Sequence, residues 1–232
     1  MSTDIVPFGD YAVMKMDPDE FTDLVRDNLS GEDLGPNDLT RVRVPAGGAT
    51  VWQIDTIEGT KNVEKIEGVI VAKRNFRVFY PAAFTGGNEA PSCASQDGIT
   101  GYGHPEATAL DPFPDGPMTT SECAKCPNAE WGTGKDGRGQ ACSARMALYV
   151  LRPDALLPIV LDLPPTSLRN QKQYFLGLTG SGKSFKKVLT RIGLEKTSGG
   201  DVPDYSRAVF EYGGDVPEDA QERVNAIAAA VT

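Results

Sequence analysis

Four cysteines, Cys93, Cys123, Cys126 and Cys142, are the chain's whole thiol inventory, spaced C-x29-C-x2-C-x15-C with the close pair written CAKCP. A C-x2-C turn aims two thiolates at one ion, and two more cysteines complete the tetrahedron that Zn²⁺ accepts without geometric strain. One structural zinc ion is therefore the expectation. Two disulfides would suit a secreted chain, and free thiols are a further alternative. A redox C-x-x-C belongs at a strand-to-helix junction, whereas this pair sits in a loop-rich tract. His104, the only histidine, offers a substitute ligand, but a lone histidine reads as a surface residue. Catalytic zinc would need an open position and a general base. Glu106 and Glu122 lack the H-x-E…P-C-x-x-C context of the zinc deaminases.

A second stretch with chemistry in its letters is GLTGSGKS, Gly177 to Ser184, which satisfies G-x-x-x-x-G-K-[ST] in full. A phosphate cradle follows a buried strand and opens a helix, so that amides and helix N-terminus converge on the phosphates. Here the preceding TSLRNQKQYFLGL reads as a helix, which makes Gly177 or Gly180 its C-terminal cap, and the following FKKVLTRIGLEK alternates like a strand. No later apolar run ends in an Asp for Mg²⁺; RAVFEYGG offers only Glu211. Nucleotide binding stays an alternative, and no catalytic residue is assigned. Lys183, Lys186 and Lys187 read as a basic turn, either solvated or in contact with phosphates.

The elements that must position these groups follow from periodicity. DPDEFTDLVRDNL predicts a helix with Asp17 as N-cap, Pro18 in the first turn and a stripe of Phe21, Leu24, Val25 and Leu29 that should cover a sheet. Strands are expected at Arg41 to Val44, Thr50 to Asp55, Glu67 to Lys73 and Asn75 to Tyr80, the last two being separate or one long bent strand. From about Ala82 to Ala141 the chain is rich in Gly, Pro, Ser and Asp, too long for an unordered loop unless a metal replaces the missing core. Strands resume at Met146 to Arg152 and Leu156 to Leu163. A helix capped by Thr166 or Ser167 follows, with stripe Leu168, Tyr174, Phe175 and Leu178. VLTRIGLEK and YSRAVFEYG form an antiparallel pair joined by TSGGDVPD, and a helix from Pro217 to Val231 closes the chain. This order predicts a mainly β protein with helices (α+β), an OB-like barrel with an inserted zinc-binding subdomain. Its composite domain divides into 1–81 (helix and first strands), 82–142 (zinc-binding insertion) and 143–232 (remaining strands and helices).

With 232 residues, 40% of them hydrophobic, the chain can bury a proper core. MSTDIVPFGDYAVMKMD has no basic stretch followed by an apolar run, and no window approaches the roughly 18 apolar residues of a membrane span. A cytoplasmic protein with no membrane partner is expected. Net charge is −9, which opposes polyanion binding, yet the charges segregate along the sequence. Lys61, Lys65, Lys73, Arg74 and Arg77 stand against only Glu64 and Glu67, and Arg169, Lys172, Lys183, Lys186, Lys187, Arg191 and Lys196 against Glu195 alone. Segregation of this kind leaves a basic groove on an acidic protein or, in the plainer reading, ordinary solvated faces. KRNFRVFY and RMALYVLR interleave cations with aromatics, and Trp52 and Trp131 add rings. Cations for phosphates and aromatic faces for bases are what single strands require. Alternation puts Arg74, Phe76, Val78 and Tyr80 on one face and Lys73, Asn75, Arg77 and Phe79 on the other. Phe76, Phe79, Trp52 and Tyr149 fit a core better than a platform.

The set EGVIVAKRNFRVFYP, PSCASQDG, ECAKCPNAEWGTGKDGRGQACSARMALYVL and LPIVLDLPPTSL resembles a group of bacteriophage and prophage proteins marked by C-x-S, C-x-x-C-P, W-G and G-x-x-C around a zinc site. The resemblance runs from about Ile66 to Gly213. In plan the chain is similar to the zinc-containing single-stranded-DNA-binding proteins of tailed phages, where a metal subdomain interrupts an OB fold. Those proteins space Cys and His ligands differently and often end in an acidic tail, where PEDAQERVNAIAAAVT is an amphipathic helix. The charge segregation, the cation and aromatic strands and the metal insertion together predict a non-enzymatic, zinc-stabilised protein that binds single-stranded DNA during phage replication or recombination, with proteins of those processes as partners. Arg74, Arg77, Lys135, Arg138, Arg145, Lys183, Lys186 and Lys187 would contact phosphates, and Trp131 or Phe76 would stack on bases. A phage structural or host-takeover interaction module is the alternative from another class.

Overall fold

β-Branched and aromatic residues fill the segments that become strands, and Gly and Pro the breaks between them. The computed structural model describes residues 18–29, 35, 38–82, 90–153, 155–199 and 202–230. In chain order the helices and strands are α1 (Pro18–Leu29), β1 (Arg41–Arg43), β2 (Trp52–Thr56), β3 (Gly59–Val63), β4 (Lys65–Phe79), β5 (Cys93–Ser95), β6 (Thr100–Gly103), β7 (Thr119–Glu122), β8 (Cys142–Leu151), β9 (Ile159–Leu163), α2 (Pro165–Gly180), β10 (Val188–Gly199), β11 (Val202–Asp215) and α3 (Glu218–Ala230). The protein is mixed α+β and mostly sheet. It divides into two units: Met1–Ala72 with Leu148–Asp162 and Arg169–Thr232, and Lys73–Ala147 with Leu163–Leu168. The 82–142 tract lies within the second unit, which also takes in the C-terminal end of β4 and the N-terminal end of β8.

In the first unit the strands run β1-β9-β8-β4-β10-β11, with β2 and β3 as a separate hairpin. β9 is buried along its whole length because it lies between β1 and β8 and both of its faces are covered. β1 pairs with it in parallel, Arg41 opposite Val160. Trp52 is fully buried, and its Nε1 donates to the Ile192 carbonyl at 2.9 Å, so the ring fills the core without stranding its polar edge. Ile66, Val69, Ile70, Leu148, Tyr149, Leu161 and Ile192 are among the other large, fully buried side chains. Burying each aliphatic member stabilises the fold by roughly 1.5–3 kcal/mol. Helix α2 lays Gln171, Tyr174 and Leu178 inward; Tyr174 shares a hydrogen bond with Thr190 at 2.9 Å and stacks on Phe210. Ala220, Val224 and Ala228 form the buried stripe of α3.

Several expectations change. The sheets do not close into a barrel. Closure needs the two edges to meet, but β1 spans three residues and pairs only with β9, while the 14-residue β11 pairs only with β10 among the described residues. β4 is one continuous strand of 15 residues. β3, with the polar sequence GTKNV, carries no hydrophobic alternation and escapes sequence reading. Helix α1 forms, yet Leu24 and Leu29 are exposed, so these two members of its stripe cover no sheet. Asp17 and the Phe21 side chain lie outside the described residues, as does the 200–201 connection between β10 and β11. No described helix is long and apolar enough to cross a membrane.

Candidate functional site

The second unit carries the cysteines. Its strands run β8-β4-β5-β6-β7, and the register that sets Phe79 opposite Cys93 brings Cys93 onto the same face as Phe79. Cys142 opens β8, and Phe79, Cys93, Ala107 and Cys142 form one buried apolar cluster. Cys123 and Cys126 bracket a 3₁₀ turn directly after β7; the Cys123 amide donates to Ile99 at 2.8 Å and the Cys126 amide to Cys123 at 3.4 Å. All four cysteines are free, and together they line one cavity of about 10 Å³ with Phe79, Pro105, Ser121, Asn128 and Ala129. That is roughly the space of a single water or ion.

Gly101 of β6 adjoins three of its lining residues, and a Cβ there would lie 3.2 Å from Cys93 Sγ, 3.3 Å from Ser121 Oγ and 3.6 Å from Cys123 Sγ. Two of the four sulfurs, those of Cys93 and Cys123, thus lie against a position without a side chain. Among the described residues no three His, Cys, Asp or Glu side chains stand as a formed metal cage; what the thiols share is the cavity. The donor set suits Zn²⁺, which takes four thiolates at tetrahedral corners. Burial pushes the Cys142 thiol up to about 11, against the opposing pull of the Arg77 guanidinium. Cys93 is also raised, first by burial and then by Cys126 and Cys123. Arg77 faces the same side, donating Nη1 to the Cys142 carbonyl at 3.4 Å, which places it with the cysteines. His104 is buried, at 6% exposure, contrary to the surface position expected of a lone histidine. Its amide donates to Ser92 at 2.6 Å and its Nδ1 meets Glu106 Oε1 at 3.2 Å, so a polar partner compensates its burial.

Between Cys126 and Cys142 the chain makes a braced loop. The amides of Gly132 and Gly134 donate to Gly139 at 2.7 and 3.3 Å. The Asn128 side-chain amide donates to Pro105 at 2.5 Å, and that of Gln140 donates to the Ala129 carbonyl. On this loop sit Trp131, 85% exposed, and the exposed Lys135 and Arg138. All three line a groove of about 1070 Å³, together with Phe79, Tyr80, Gln140 and Ser143. Among the described residues the charged groups lining it are Lys135 and Arg138, both cations on a chain of net charge −9.

The face of β4 away from Phe79 carries Arg74 and Phe76. The Arg145 guanidinium of β8 lies 5.8 Å from the Phe76 ring centroid, a cation–π distance. Arg74 Nε is buried with no hydrogen-bond partner among the described residues. Seven of the ten expected nucleic-acid contacts, Arg74, Phe76, Arg77, Trp131, Lys135, Arg138 and Arg145, therefore fall in the second unit. Lys183, Lys186 and Lys187 belong to the first. There folding brings carboxylates to several of the cations: Arg191 pairs with Glu67 at 2.6 Å, Lys65 with Glu211 at 2.7 Å and Lys196 with Asp204 across the β10–β11 hairpin at 2.5 Å. Lys183 reaches both Asp215 oxygens, at 2.5 and 2.6 Å, and lies 5.2 Å from the Tyr212 ring.

GLTGSGKS is the end of helix α2. The Lys183 amide donates to Leu178 at 2.9 Å and the Gly182 amide to Thr179 at 3.0 Å, the paired bonds of a Schellman motif, with Gly182 at φ 70°. The capping glycine is thus Gly182 rather than Gly177 or Gly180. Helix, turn and strand occur in the reverse order to a phosphate cradle.

Sequence reading missed Gly101, Gln140 and Thr133 as parts of the site. The trace of Thr133 and Gln140 was the run WGTGKDGRGQ, whose glycines announce turns without showing where they fold; Gly101 left none. Comparison with protein-family models, curated proteins and solved structures finds no match for this chain.

Proposed function

We propose that this is a zinc-stabilised single-stranded-DNA-binding protein acting in phage DNA replication or recombination, in the cytoplasm of the host cell. The observation that carries the reading is the groove of the second unit, where an outward tryptophan and two cations stand together among the described lining residues. Exposed indole is costly to leave in water and effective as a stacking platform, and cations beside it suit a phosphate backbone. Arg74, Phe76 and Arg145 add cations and a ring to the second unit. One zinc ion, held by Cys93, Cys123, Cys126 and Cys142, would order the end that carries the groove. In place of a closed OB barrel, the scaffold is an open sheet.

A titration of a fluorescent 12-nucleotide single strand, and of the matching duplex, at two salt concentrations tests this. Single strands should bind more tightly, with log K falling against log salt by about 0.7 per phosphate contact. Trp131→Ala should weaken binding about tenfold or more, the scale of one lost base stack. Salt-independent or absent binding sinks the proposal. A second reading, a phage structural or host-takeover interaction module, draws on exposed Ile99, Tyr102, Leu110, Phe113 and Met118 in the same unit. It predicts no response to oligonucleotides.

A further inference from the structure

We infer that Thr133 is the positioning residue of the groove, the one side chain whose hydroxyl fixes where Trp131, Lys135 and Arg138 point. This deepens the binding reading and rests on it only for its oligonucleotide readout. Thr133 Oγ1 stands 2.8 Å from the Glu130 carbonyl and 3.2 Å from that of Asn128, and it accepts the Ala141 amide at 3.1 Å. A hydroxyl has one proton to give and lone pairs to receive, so it donates toward the turn after Cys126 while accepting from the residue before Cys142. Two ends of the loop are thereby tied at one atom. Trp131 lies between Glu130 and Thr133; Lys135 and Arg138 lie between Thr133 and Ala141. All three groove groups hang from the two small arcs that this knot closes.

Thr133 is itself exposed, so its role is not core packing. Valine would keep its shape and remove both bonds, while serine would keep the bonds and remove a methyl group. The intact chain carries its own reporter. Trp52 is fully buried and Trp131 is 85% exposed, so the emission that acrylamide quenches belongs to Trp131.

The experiment compares wild type, Thr133→Val and Thr133→Ser. In the valine variant the quenchable emission should lose anisotropy, the Ala141 amide should exchange faster, and affinity for the 12-nucleotide strand should fall about threefold to tenfold, the scale of one net hydrogen bond. Serine should restore all three toward wild type, and the thermal midpoint should stay the same across the series. Unchanged anisotropy and exchange in the valine variant overturn the inference. So does a faster Ala141 amide with wild-type affinity, which would make the hydroxyl structural only. A wild type that binds no oligonucleotide, with the anisotropy loss still present, sinks the DNA-binding reading and supports Thr133 as the residue that positions the loop.

Discussion

Gly101 lies under Cys93 Sγ, Ser121 Oγ and Cys123 Sγ, all within 3.6 Å of where its Cβ would be. A neighbour that can turn away tolerates a new methyl group; a sulfur held by an ion cannot. Gly101→Ala should therefore cost more in zinc affinity than in the stability of the metal-free chain, with at least a tenfold loss in a chelator competition, the scale of a disturbed coordination shell. Equal affinity in the two proteins would mean that the sulfurs do not converge on a metal beside Gly101. The cysteines were legible as a set from type and spacing, and the fold does bring them to one cavity. Gly101 was not, since its importance is an absence of atoms at a place only folding defines. Trp131, Lys135 and Arg138 were legible as a cation–aromatic group, whereas Arg77 was assigned to the nucleic-acid face and instead turns toward Cys142. Lys183, read as a free cation, meets Asp215 through a pairing 32 residues away in sequence.

Among elements, β1 is the shortest commitment in the first unit. Its three residues are held to β9 by a parallel ladder and by Arg41, whose Nη1 lies 3.2 Å from Asp162 Oδ1. Asp162 is buried, so removing the guanidinium leaves a carboxylate without its counter-charge. Arg41→Ala should destabilise by about 2–3 kcal/mol, somewhat below a fully buried pair because Arg41 is itself partly exposed. Chemical denaturation measures this, and Asp162→Asn added to Arg41→Ala should recover part of the loss. Alternation and β-branching made β1, β2, β4, β8, β9 and the β10–β11 hairpin readable, each within a few residues. β5, β6 and β7 were invisible. Each has three or four residues, too few for periodicity to register, and their sequences CAS, TGYG and TTSE owe their extended form to neighbours. Helix α2 was legible along with the fact that GLTGSGKS ends it; which glycine makes the cap is a matter of φ angles that composition does not encode.

For the whole molecule, charge along the chain does not give charge in space, whereas the cysteine pattern does bring four thiols to one cavity. Cation-rich segments of the first unit fold against carboxylates from elsewhere, and the groove cations belong to a turn of the second unit that sequence treated as part of the insertion. The pH behaviour of a zinc-loaded chain follows from its thiols. Burial holds Cys142 near 11 and raises Cys93, so at neutral pH both are protonated in the metal-free chain, and zinc must displace those protons. A group whose proton is lost on binding makes affinity rise with pH and fall in acid. Zinc affinity should therefore climb across pH 6 to 8, and calorimetry in buffers of different ionisation enthalpy should register proton release. Chelation should loosen amides of the second unit before those of the first. A pH-independent zinc affinity, or no zinc uptake, removes the metal from the picture.

β11 has a consequence of its own. A strand of 14 residues with no second neighbour among the described residues is a template on which another chain could continue the hydrogen-bonded ladder and begin a fibre. Asp204, Arg207, Glu211 and Asp215 are spread along its length, engaged with Lys196, Glu195, Lys65 and Lys183 respectively. Any newcomer would have to bring its own backbone up to this palisade of charge and accommodate both signs at once. The ion pairs along β11 thus serve as protection against aggregation.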